Sequence, residues 1–145
     1  MFTGQYNHTM DAKGRVSMPA RFREKLGATL IVTKGYINEK CLYMFWEEAW
    51  EEYQEKLSKI PSSNVLAKKF ARYVVGSSSY CDIDKQGRII VPQYLRDFAE
   101  LGNDVVISGL GTRFELWDRA KWDEELTFDP IEAMAIEKEI VELGL

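Results

Sequence analysis

Histidine occurs once in this 145-residue chain, at position 8, and cysteine only twice, at 41 and 81. No C-x-x-C pair is present, and nothing is spaced as a structural zinc site. A single Cys41–Cys81 disulfide is conceivable, but two buried free thiols in a reducing compartment fit such sparse usage better. The longest unbroken apolar run, Cys41 to Trp46, has six residues, whereas a membrane-crossing helix needs about 20. The N-terminus lacks the charged-then-apolar pattern of an export signal. These absences set aside metal-held, disulfide-held, exported and membrane-spanning proteins, and the expectation is a cytoplasmic protein.

What is present is an ordinary globular composition, 46% hydrophobic and 29% charged, in a chain the length of about one domain. At this size about 68–70% of the unfolded surface can be buried without staples. The net charge of −4 is unevenly spread. Residues 1–36 carry six basic side chains (Lys13, Arg15, Arg21, Arg23, Lys25, Lys34) against Asp11 and Glu24, a net of +4, whereas residues 102–145 carry four basic and eleven acidic ones, a net of −7. One end is suited to a polyanion and the other to water or protein.

The chain repeats itself. D-A-K-G-R at 11–15 returns as D-K-Q-G-R at 84–88, an offset of 73. V-S-M-P-A-R-F-R after Arg15 answers I-I-V-P-Q-Y-L-R after Arg88, so Pro19 matches Pro92 and Arg23 matches Arg96. Further on, I-V-T at 31–33 answers V-I-S at 106–108, L-Y-M-F at 42–45 answers F-E-L-W at 114–117, and Trp50 answers Trp122. One supersecondary unit is used twice. The division this predicts is a first unit over 1–60, a helix and loop over 61–78, a second unit over 79–128 and a C-terminal helix over 129–145.

Within each unit the pattern predicts a first strand (Gln5–Met10, Ser79–Ile83), a tight hairpin turn and a second strand (Arg15–Met18, Arg88–Val91). A short helix follows, with Pro19 or Pro92 in its first turn and glycine stopping it after about Leu26 or Leu101. Two more strands come next, near 29–34 and 41–45 and near 104–108 and 113–117. A second helix begins after each pair, over Glu47–Leu57 and Arg119–Leu126. Between the units, Ser62-Ser63 can cap a helix burying Leu66, Phe70 and Tyr73 on one face. Lys68, Lys69 and Arg72 then read as its solvated face, and Gly76–Ser79 as a loop. The terminal helix, about Pro130–Leu143, has Ile131, Met134, Ala135 and Ile140 to bury. A single unit leaves open edges and an uncovered apolar face, which two units can cover by interleaving about a pseudo-twofold axis.

The turn explains its Asp and its Gly, since Asp bonds its own downstream backbone and Gly takes the left-handed conformation. It does not explain the arginine. Asp11 and Asp84 either pair with Arg15 and Arg88 to brace the bend or hold those guanidinium groups outward for a polyanion, and the residues alone leave both readings open. Two rivals use other residues. His8 with Cys41 or Cys81 would make a thiol–imidazole pair, though nothing in the spacing unites them. Four tryptophans (Trp46, Trp50, Trp117, Trp122) with the acidic C-terminal third would make a protein-docking surface, though their strand–helix junctions suit core or subunit interface better.

The opening M-F-T-G-Q-Y-N-H-T-M-D-A-K-G-R-V-S-M-P-A-R-F-R, the second D-K-Q-G-R-I-I-V-P and the segment F-E-L-W-D-R-A-K-W together resemble the MraZ family of bacterial transcriptional regulators, over about residues 1–126. The resemblance implies an α+β fold of two AbrB-like (SpoVT-AbrB) swapped-hairpin units interleaved into a small barrel with flanking helices. It implies a non-enzymatic, cofactor-free regulator, nucleoid-associated. Such a protein assembles into ring-shaped homo-oligomers and binds direct repeats of double-stranded DNA in the promoter of the division and cell-wall gene cluster, usually as a repressor. A ribosomal RNA methyltransferase is a further partner the family implies. The family's D-x-x-x-R motif falls on Asp11 and Arg15 and on Asp84 and Arg88, with Lys13 beside the first. The second copy departs there, carrying Gln86 opposite Lys13 and Lys85 opposite Ala12. On this reading Arg15 and Arg88 reach base edges or phosphates, Lys13 and Lys85 reach phosphates, and Arg21 and Arg23 widen the positive surface more weakly.

Overall fold

A computed structural model describes all residues, 1–145. Eight strands form in chain order: β1 (Phe2–Thr9), β2 (Arg15–Ser17), β3 (Thr29–Lys34), β4 (Leu42–Trp46), β5 (Ser79–Asp82), β6 (Arg88–Ile90), β7 (Asp104–Gly111) and β8 (Phe114–Asp118). The helices are α1 (Arg23–Leu26, entered through a 3₁₀ turn at Ala20–Phe22), α2 (Glu47–Ser58), α3 (Val65–Gly76), α4 (Gln93–Ala99), α5 (Arg119–Glu125) and α6 (Pro130–Glu142).

Six strands make one antiparallel sheet in the order β1-β7-β8-β4-β3-β5, and β2 pairs with β6 in a separate ribbon. Exchanging each strand for its repeat partner (β1 with β5, β3 with β7, β4 with β8) reads the sheet order backwards, which is a pseudo-twofold axis between β4 and β8. The ribbon obeys the same axis. Val16 sits opposite Ile89, and these two are themselves repeat equivalents. The fold is α+β, with each unit completed by strands of the other.

Alternation along the strands splits the core into two layers. Leu30, Val32, Leu42, Met44, Phe114 and Leu116 face the ribbon and the short helices, meeting Val16, Met18, Phe22, Ile89, Val91 and Leu95. Ile31, Tyr43, Phe45 and Trp117 face the other way, against Trp50 of α2 and Val74 of α3. Cys81 lies in the first layer and Cys41 in the second, both as free thiols. Trp50 and Trp117 are buried, and Trp46 and Trp122 are half-buried against the second layer. No helix is long and apolar enough to cross a membrane.

Several expectations are corrected. The strands on either side of each Asp–Gly turn do not pair with one another: β1 pairs with β7 and β2 with β6, the latter pairing burying Val16 opposite Ile89. Pro19 and Pro92 occupy the cap position before the helical turns rather than the first turn itself. Gly27 ends α1, but α4 is ended by Glu100 in the left-handed conformation (φ 54°). Asn64, not the serine pair, caps α3 by accepting the Ala67 N–H. The buried side of α3 runs through Phe70, Tyr73 and Val74, and Leu66 is exposed. Gly76 still belongs to α3, and Ser77 is buried, with its hydroxyl bonded to the Thr33 hydroxyl. No side chain of α6 is buried.

Candidate nucleic-acid interface

The two Asp–Gly turns match bond for bond. Asp11 Oδ1 accepts the Lys13 N–H (3.0 Å) and the Arg15 N–H (2.9 Å), while its Oδ2 accepts Arg15 Nε–H at 2.5 Å. Asp84 Oδ1 accepts from Gln86 N (2.8 Å) and Arg88 N (2.9 Å), and its Oδ2 accepts from Arg88 Nε at 3.0 Å. Each turn is closed by Gly14 N–H to Asp11 O, or Gly87 N–H to Asp84 O. Gly14 (φ 84°) and Gly87 (φ 78°) take the left-handed conformation the closure needs. These bonds hold both carboxyls below the ordinary aspartate range. The Arg15 backbone N–H is the largest cause at Asp11 and the Arg88 backbone N–H at Asp84, with the guanidinium groups adding to both.

This arrangement consumes only the Nε–H of each arginine. The terminal amino groups of Arg15 and Arg88 have no protein partner. A guanidinium with both terminal amino groups free keeps a pair of parallel donors of the kind that can take a guanine edge or a phosphate. The aspartate therefore does two things: it folds the turn with one oxygen and aims the guanidinium with the other.

The ribbon carries both arginines on one face. Val16 and Ile89 point into the core, so alternation places Arg15, Ser17, Arg88 and Ile90 outward, as cross-strand pairs Arg15–Ile90 and Ser17–Arg88. A two-stranded ribbon is of a width the major groove admits. Lys13 and Lys85 lie exposed on the turns, with no side-chain bond or ion pair. Arg21 is exposed, its guanidinium 5.7 Å from the Phe22 ring centroid.

Arg23 has a different place. Its Nε–H donates to Met18 O (3.2 Å) and its side chain covers Gly87, just as Arg96 Nε–H donates to Val91 O (2.9 Å) and covers Gly14. Each unit thus props the other's turn. Sequence reasoning missed Arg96 as a brace, and missed Ser17 and Ile90 as outward residues. The signal for the brace was its match to Arg23, and for the others the two-residue alternation after each glycine.

His8, on β1 opposite Val105, is held below its ordinary pKa first by burial and then by the nearby charge of Arg23. Cys41 and Cys81 have thiols pushed upward by burial. The proposed thiol–imidazole pair does not form, because the histidine lies on an edge strand and the thiols sit in the two separate core layers.

Interleaved units joined by a β2–β6 ribbon, with an Asp–Arg pair on each turn, define a protein of the swapped-hairpin class. A family model described as "MraZ protein, putative antitoxin-like" matches residues 1–73 and 75–141. The transcriptional regulator MraZ of Carboxydothermus hydrogenoformans is 47% identical over 123 residues, covering 85% of both chains. That of Moorella thermoacetica is 42% identical over 93% of this chain and 94% of its own, and that of Alkaliphilus oremlandii is 41% identical over the full length of both. The chain belongs to the MraZ family, and it is a DNA-binding transcriptional regulator rather than an enzyme.

Proposed function

We propose that this regulator reads promoter DNA with the outward face of the β2–β6 ribbon, Arg15 and Arg88 supplying paired donors to base edges or phosphates. Lys13 and Lys85 add phosphate contacts, and Arg21 extends the positive surface. The observation that supports this reading is that each aspartate fixes the arginine through Nε–H alone and leaves its terminal fork unpaired. Arg23 contributes chiefly by holding the opposite turn in shape.

One ribbon neutralises few phosphates and binds weakly at cellular salt. Ring-shaped homo-oligomers engaging direct repeats near the division and cell-wall genes raise the effective concentration of each further ribbon. Repeats about one helical turn apart present their sites on one side of the duplex. In this reading the protein acts as a repressor in the cytoplasm, on the nucleoid. A gel shift with one repeat against four tests it. Four repeats bind much more tightly if assembly matters, and equal affinity for one repeat sinks the multivalent account.

A further inference from the structure

Two surfaces of this chain lack a partner, and they are opposite in charge. The first is a groove of about 570 Å³ between α2 and α3. Its floor is apolar, from Leu57, Ala71 and Val75, and Lys68 and Arg72 stand on its wall with no acidic side chain in the lining. The second is α6. Ile131, Met134 and Val141 follow one face of that helix, and Ile136, Ile140 and Leu143 another. All of these are exposed, Ile131 at 81%, Met134 at 71% and Val141 at 75%. Such stripes of apolar side chains are ordinarily turned to a partner surface rather than to water. Residues 130–145 carry four glutamates and one lysine, a net of −3.

We infer that α6 of one copy docks in the α2–α3 groove of a neighbouring copy, its apolar face on Leu57, Ala71 and Val75 and its glutamates toward Lys68 and Arg72. Charge complementarity chooses this occupant: the only charged residues lining the groove are the cations Lys68 and Arg72, and α6 is the acidic helix whose apolar side chains the chain leaves bare. The helix and the groove are different surfaces, so the contact is heterologous and propagates head to tail until it closes. That is the seam a ring needs, and the inference rests on the proposed assembly while naming what holds it. It also accounts for Lys68 and Arg72, which sequence reasoning assigned to a merely solvated face.

Two full-length variants, Val75→Cys and Met134→Cys, both at exposed positions, are co-expressed and treated with a short bismaleimide. Cys41 and Cys81 are buried and give a low background. A cross-linked dimer that forms from the mixture and from neither variant alone is expected. Adding Lys68→Glu and Arg72→Glu to the groove-bearing copy should lower its yield at least tenfold. If light scattering shows an assembled particle and no inter-chain cross-link forms, the docking is wrong and the ring stands. A cross-link confined to one chain in the doubly substituted protein overturns it as well. A monomeric wild type removes the ring and the docking together, so the two failures are told apart.

Discussion

The Arg23 side chain lies against Gly87 of the other unit's turn, where a Cβ would run into Nε, Cδ and Cζ of its guanidinium arm. The reciprocal contact is Arg96 on Gly14, but there the added carbon also meets the Val91 carbonyl oxygen at 2.7 Å. A flexible side chain can move aside more readily than the backbone carbonyl of Val91, whose own N–H is tied to Gly14 O. Alanine at either glycine is strained by its positive φ, by about 1–3 kcal/mol. Gly14→Ala is therefore expected to destabilise the fold more than Gly87→Ala in urea unfolding. Adding Arg23→Ala should recover part of the Gly87→Ala loss, whereas Arg96→Ala should recover little at Gly14. Equal losses at the two glycines would contradict this account of the turns.

The aspartates separate folding from aiming. Asp11→Asn keeps an oxygen to accept the Lys13 and Arg15 backbone N–H groups, but replaces Oδ2, the acceptor of Arg15 Nε–H. Stability is expected to fall by about 1 kcal/mol or less, while affinity for promoter DNA drops severalfold because the fork is no longer held. An Asp11→Ala variant should lose both. If Asp11→Asn binds as tightly as wild type, the carboxylate braces only the bend.

Because both aspartates titrate below their ordinary 3.8, the sign of their pH effect is fixed. The folded state favours the ionised carboxyl, so the stabilisation is fully present above the unfolded pKa and is lost as pH falls through the folded one. Carboxyl carbon NMR titration should show Asp11 and Asp84 both titrating below 3.8. The share of the unfolding midpoint that these two carboxyls supply should decline in that acid range, below the window in which His8, also held low, has its effect. In Arg15→Ala the Asp11 value should rise part of the way back, since the Arg15 backbone N–H survives the substitution.

How much of this was legible beforehand differs by element. The repeat of Asp-x-x-Gly-Arg located both turns and both arginines, because a tight bend is a local problem solved by neighbouring residues. Pairing was not local. β2 alternates as well for a neighbour across its own turn as for β6, and only the burial of Val16 opposite Ile89 decides between them. The misplaced cap of α3 has the same origin, since Ser62, Ser63 and Asn64 are all competent oxygens and the start of the helix selects one. The pattern of α6 marks Ile131 and Met134 as residues to bury, yet both are exposed. A pattern states that a surface needs cover without stating which chain supplies it.

The outward faces of the two half-ribbons differ at one equivalent position, Ser17 in the first unit and Ile90 in the second, and this predicts unequal readout. Ile90 is 57% exposed beside Arg15, where an apolar side chain can meet a thymine methyl next to the base that Arg15 contacts. Ser17 beside Arg88 offers a hydroxyl that accepts or donates and so discriminates less. Removing Arg15 should therefore cost more affinity than removing Arg88. Each loss is expected to be about tenfold to a hundredfold at fixed salt, the range of a good paired contact. Lys13→Ala should instead lower affinity evenly across sequences and flatten the salt dependence by about one phosphate contact. Ile90→Ser should leave the salt slope unchanged and relax selection at a single base step. Selection from a randomised repeat library, run with wild type and Ile90→Ser, reads this directly: an unchanged binding motif would show that Ile90 does not face the bases.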